Sequence, residues 1–117
     1  MRVLVCGGRD FSDTAMVFAA LDRIHAKRGI SCIIDGAARG ADQLGSNWAT
    51  KHGIANIRCP ADWNRYGKSA GFMRNRTMLV SERPDLVVAF PGGRGTAHMV
   101  QLATKSGFTV WQPLRAR

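Results

Sequence analysis

The chain predicts an α/β fold: a Rossmann-like, doubly wound sheet of five parallel strands in the order 3-2-1-4-5, forming a single domain over residues 1–117. Three observations predict it. Short β-branched runs alternate with stretches whose apolar residues recur at helical spacing. The strand-like runs are continuously apolar rather than alternating, as strands covered on both faces must be. Glycine stands at the end of almost every element, where the chain changes direction.

Arg2–Cys6 (RVLVC) is the first strand and stops at Gly7-Gly8. Ser12-Asp13 offers N-cap side chains. The helix they start runs to Arg28, with Met16, Val17, Ala20, Leu21 and Ile24 as its apolar stripe, and Gly29 ends it. Ser31–Ile34 is the second strand, closed by Asp35-Gly36. Ala41–His52 is the second helix, with Leu44, Trp48 and Ala49 inward and Gly53 after it. Ile54–Cys59 is a third strand, and Pro60–Lys68 (PADWNRYGK) reads as a loop of turn formers. Ser69 is placed to cap a third helix that reaches Glu82 on Phe72, Met73, Met78, Leu79 and Val80, before Pro84-Asp85 breaks it. Leu86–Phe90 is the fourth strand, Thr96–Ser106 the fourth helix, and Phe108–Trp111 the fifth strand, followed by a short basic tail. Right-handed crossovers with one reversal of winding direction give the strand order.

Composition narrows the function classes. The net charge is +9, which favours polyanionic partners, either nucleic acid or phosphorylated small molecules. The basic residues are spread out, with no run longer than two, which argues against a dedicated nucleic-acid arm. Cys6, Cys32 and Cys59 lack metal-ligand spacing and fall in or beside apolar runs, so they read as buried small hydrophobes in a reducing compartment. His25, His52 and His98 are scattered, and neither a metal nor a cofactor is expected. The chain opens on MRVLVCGG without a signal-peptide pattern, and no window approaches the ~20 apolar residues of a membrane span. The expected location is the cytoplasm, with no membrane partner.

The thirteen glycines exceed the usual share of about 7%. Three of the strand-end loops hold them together with an arginine: Cys6-Gly7-Gly8-Arg9-Asp10-Phe11, Gly36-Ala37-Ala38-Arg39-Gly40-Ala41-Asp42, and Pro91-Gly92-Gly93-Arg94-Gly95-Thr96. In the predicted order, strands one and four flank the point where the winding reverses, and ligands of such sheets bind there. Glycine lets backbone approach a ligand, loop amides and a helix N-terminus attract anions, and arginine grips phosphate oxygens. Asp42 is placed to accept from ribose hydroxyls. Neither the dinucleotide fingerprint nor the phosphate-loop motif of nucleoside triphosphatases is present. On the third helix, Arg74, Asn75 and Arg76 follow a loop whose Trp63 and Tyr66 could stack on a base or pack as a lid; of the two arginines, Arg74 is favoured to face the switch point.

These segments resemble a known group. Pro91-Gly92-Gly93-Arg94-Gly95-Thr96 resembles the PGGxGTxxE motif of the Lonely Guy phosphoribohydrolases and the wider SLOG superfamily. Arg74-Asn75-Arg76-Thr77-Met78 resembles the arginine-lysine-x-x-methionine element upstream of it, and Gly36–Asp42 resembles the glycine-alanine loop of SLOG and DprA-type proteins. Over nearly its full length the chain is most similar to small YspA-type SLOG proteins of bacteria and phages. The resemblance implies a nucleotide-binding Rossmannoid in which Gly92–Thr96 holds phosphate and Arg74 is the active-site arginine. Some members cleave N-glycosidic bonds, some sense nucleotide-derived signals, and DprA-type members bind single-stranded DNA. Similar proteins are often homo-oligomers, so self-association is expected. The resemblance breaks at Met99, which stands where the hydrolases carry glutamate. A methionine can neither stabilise an oxocarbenium ion nor activate water. Asp10, Asp42 and Asp62 are the carboxylates that could substitute, and His98 could move a proton.

The favoured reading is therefore a sensor or sequestering module for a nucleotide-like small molecule. The alternative is N-glycosidic hydrolysis, with Arg74 orienting phosphate and Asp42 or Asp10 as the carboxylate. Single-stranded DNA binding is the weakest reading, because no extended basic-aromatic track is visible.

Overall fold

The computed structural model describes residues 1–114; the basic residues of the tail, Arg115 and Arg117, lie outside the described residues. The strands are β1 (Arg2–Cys6), β2 (Cys32–Asp35), β3 (Ala55–Arg58), β4 (Leu86–Ala89) and β5 (Val110–Trp111). They form one sheet in the order β3-β2-β1-β4-β5, and every pairing is parallel. The helices are α1 (Thr14–Arg28), α2 (Ala41–His52), α3 (Trp63–Tyr66), α4 (Ala70–Thr77) and α5 (Arg94–Lys105). No helix among the described residues is long and apolar enough to cross a membrane.

The continuously apolar strands serve two cores. Val3 and Val5 of β1 join Ile33, Val88 and Phe90 in packing against Val17, Leu21 and Ile24 of α1 and Trp48 of α2. Leu4 and Cys6 point the other way and join Ile34, Val87 and Ala89 against Met78, Leu79, Met99 and Ala103. Successive strand side chains face opposite sides, so only a run apolar at every position can supply both layers. Trp48, wholly buried, closes the first core and donates its indole N–H to Asp22 (2.9 Å).

Local signals behave as their chemistry requires, with corrections at several boundaries. Asp13 rather than Ser12 caps α1, accepting from the Met16 amide at 3.0 Å. β2 begins and ends one residue later than expected, whereas β3, β4 and β5 are shorter. The segment 60–68 is not all loop: Asp62 accepts from the Arg65 amide (3.1 Å) and starts α3. A 3₁₀ turn, Gly67–Ser69, then leads directly into α4, so Ser69 makes no capping hydrogen bond. Helical backbone does reach Glu82, but its final turn, Met78–Glu82, is a wider π turn. Phe72, Met73 and Val80, expected to face inward, are exposed. The buried positions of this segment are Ala70, Asn75, Met78 and Leu79. Phe72 lies two residues from Ala70, about 200° around the helix, on the opposite face. Finally, α5 starts at Arg94, two residues before the expected Thr96.

Candidate functional site

Because β1 and β4 are neighbours, the loops that follow them leave the sheet side by side. Gly8 joins three loops through its backbone. Its amide donates to the Pro91 carbonyl (2.9 Å), and its own carbonyl accepts from the amides of Phe11 and Ala41 (both 3.2 Å). No side chain fits at these crossings. Gly40 has φ +78°, and a Cβ there would press on the backbone of Gly8 and Arg9. A Cβ on Gly92 would lie 2.6 Å from the Gly8 amide nitrogen.

In front of this crossing lies a cavity of about 400 Å³. One wall is Gly7, Gly8, Arg9 and Asp10; a second is Gly93, Arg94, Gly95 and Thr96 at the start of α5. The third wall comes from α3, the 3₁₀ turn after it and α4, and carries Trp63, Lys68, Phe72, Arg74 and Asn75. Ala38 and Asp42 close the side under β2, and Cys6, Met78 and Met99 form an apolar floor. Burial pushes the Cys6 thiol far up its scale, so this cysteine is a neutral floor group and no nucleophile.

The wall at α5 is open to an anion. The first amide to donate within the helix is that of Ala97, to the Gly93 carbonyl (3.0 Å). The amides of Arg94, Gly95 and Thr96 precede it and have no helical acceptor. Gly93, at the cap position, brings no side chain to satisfy them. A Cβ on Gly93 or Gly95 would meet nothing within 4 Å, so these glycines leave room in front of the helix end.

The β2 loop is closed instead. Asp42 is buried, and its Oδ2 accepts from the amides of Gly36 (3.0 Å) and Ala38 (3.3 Å). Asp35, also buried, accepts from the Ala37 amide (2.7 Å), the Asn56 side-chain amide (2.9 Å) and Arg58 Nε (3.0 Å). Burial raises the Asp42 carboxyl to about 6, helped by the negative charge of Asp35. Arg74 donates through Nη1 to the Gly36 carbonyl and through Nε to Asn75 Oδ1 (3.1 Å). Burial lowers its pKa from the ordinary guanidinium value. Asn75 in turn donates through Nδ2 to the Gly95 carbonyl (3.1 Å) and to His98 Nδ1 (3.2 Å). The Arg74–Asn75 pair thus ties the β2 loop to the first turn of α5.

The residues singled out from sequence therefore divide. Gly7, Gly8, Arg9, Asp10, Asp42, Arg74, Asn75, Gly93, Arg94, Gly95 and Thr96 meet at the cavity. Gly40 and Ala41 stand behind it as scaffold, Gly36 lines an adjoining hollow, and Pro91 and Gly92 face a separate surface hollow. Arg39 lines an adjoining hollow and pairs with Asp10 (3.2 Å), but both side chains are largely in solvent, so the pair contributes little. Sequence reasoning missed Lys68, Phe72 and the floor of Cys6, Met78 and Met99 as cavity residues. For Phe72 the available signal was its phase against Ala70 and Met78.

A model of the YspA, cpYpsA-related SLOG family matches residues 1–66. The "Gene 61 protein" of Mycobacterium phage D29 is 37% identical in an alignment that covers 93% of this chain and 93% of the phage protein.

Proposed function

The chain belongs to the YspA, cpYpsA-related SLOG family, and on that premise we propose that it binds a nucleotide or nucleotide-derived phosphorylated ligand in the cavity at the β1–β4 switch point, as a sensor or sequestering module. The observation that carries this reading is the start of α5: three amides without helical acceptors, two glycines that leave space before them, and the cations Arg9, Lys68, Arg74 and Arg94 around the same cavity. Backbone amides and a helix dipole favour a phosphate there, and the arginines and lysine add charge.

Binding is favoured over N-glycosidic cleavage by the carboxylates. Met99 is buried in the floor where the hydrolase glutamate would stand. Asp42 has one oxygen committed to two loop amides, and Asp10 lies almost wholly in solvent. Incubation with nucleoside monophosphates is expected to release no free base.

Calorimetric titration tests the binding reading. A nucleoside 5′-monophosphate should bind at least about tenfold more tightly than the same nucleoside without phosphate, a difference of about 1.4 kcal/mol. Arg94→Ala should remove most of that difference while leaving the unfolding midpoint unchanged. Equal affinity for nucleoside and monophosphate, or indifference to Arg94→Ala, would overturn it.

A further inference from the structure

We propose that Phe72 is the platform on which the ligand's aromatic base stacks, so that the site selects nucleotides over sugar phosphates that lack a base. This rests on the phosphate reading above and assigns the other end of the same ligand.

Phe72 is a large apolar ring that is 41% exposed and lines the cavity. One side of the ring is occupied, since it stacks on His98 with ring centroids 4.2 Å apart and planes 22° from parallel. His98 is not part of the cavity wall. The surface that Phe72 presents to the cavity is therefore the part that His98 leaves uncovered. An exposed aromatic ring with a second ring behind it is a rigid, flat, apolar shelf, and every nucleobase has a face that fits one.

The neighbouring aromatic is differently employed. The guanidinium of Arg9 lies 5.6 Å from the centroid of the Trp63 ring, a cation–π arrangement. Gly71, the chain neighbour of Phe72, sits beside the Trp63 ring: a Cβ there would lie 3.5 Å from it.

The shelf is also tied to the phosphate end. Asn75 has its Oδ1 engaged by Arg74, so its Nδ2 is the donor to both the Gly95 carbonyl and His98 Nδ1. His98 is therefore neutral at Nδ1, and burial lowers its pKa, which keeps it so. One buried amide thus orients the ring behind Phe72 and grips the first turn of α5. Base platform and phosphate donors belong to one frame, and a ligand that spans them needs no rearrangement to fit.

The test compares two probes, adenosine 5′-monophosphate and ribose 5-phosphate, on the wild-type chain, Phe72→Ala and Phe72→Tyr. Loss of a base stack weakens binding by about five- to a hundredfold. Phe72→Ala should show that loss for the nucleotide and stay within about twofold for ribose 5-phosphate. Phe72→Tyr, which keeps the ring, should restore nucleotide affinity. Because Phe72 is exposed, its substitution should leave the thermal midpoint in place. If Phe72→Ala weakens both probes equally, or neither, the platform is overturned while the phosphate site stands. If neither probe binds the wild-type chain, the phosphate reading fails and the platform falls with it.

Discussion

Two glycine-rich loops in this molecule look alike in sequence and behave in opposite ways. Gly36–Asp42 follows β2, and Gly92–Thr96 follows β4; each has glycines, an arginine and a helix behind it. In the first loop the amides of Gly36, Ala37 and Ala38 are all taken by Asp35 and Asp42, and Arg74 holds the Gly36 carbonyl. In the second, the amides at the start of α5 have no such partner among the described residues, and no acidic side chain sits in that first turn. Glycine content marks where backbone is crowded or bent. What makes a loop a binding loop is whether the protein already satisfies its donors.

The largest effect should come from the closed side. At Gly40 the backbone is left-handed and a Cβ would press on the Gly8 and Arg9 backbone. Gly40→Ala is expected to destabilise the fold by about 4 kcal/mol, read from urea unfolding. A loss below about 1 kcal/mol would mean that the loop crossing can relax.

Asp42 separates acceptor chemistry from charge. Asp42→Ala leaves the Gly36 and Ala38 amides without their acceptor and should destabilise by about 2 kcal/mol. Asp42→Asn keeps an acceptor oxygen and removes the buried charge. The carboxyl pKa is about 6 in the fold against 3.8 as its ordinary value. The folded state therefore holds a proton that the unfolded chain releases between those values. Its contribution is full below about pH 4, is lost as pH rises towards 6, and amounts to about 3 kcal/mol across that window. Stability curves of the parent and Asp42→Asn from pH 4 to pH 7 should diverge, with the variant relatively more stable at pH 7. Parallel curves would show that Asp42 is charged throughout.

The smallest change in stability should come from the open side, and with the opposite sign. Gly95 is helical and a Cβ there meets nothing within 4 Å. Gly95→Ala should stabilise by about 0.5 kcal/mol, since alanine suits a helix better. The same methyl enters the space before the α5 amides, so nucleoside monophosphate affinity should fall about tenfold. Gly40 and Gly95 would then respond to one substitution in opposite directions.

Much of the fold was legible because its determinants are local and repeated. Runs such as Val3-Leu4-Val5-Cys6, apolar at every position, demand two cores, and capping at Asp13 needs only three residues of sequence. The site was legible down to its loops but not to the roles within them. Asp42 reads from sequence as a group for the ligand, yet it closes its own loop, because the Gly36 and Ala38 amides turn towards it only once the loop has folded back. Phe72 reads as core since it is apolar within a helix, and its exposure follows from the packing of Ala70, about 200° around the helix, on the other side. The short α3 was hidden by the turn formers around it, although Asp62 carries the cap.

The most direct test of the contrast between the two loops is a backbone-amide chemical-shift titration with a nucleoside 5′-monophosphate. The account predicts that the amides of Arg94, Gly95 and Thr96 move most, while those of Gly36 and Ala38 stay in place. Large shifts at Gly36–Ala38 with none at Arg94–Thr96 would contradict it.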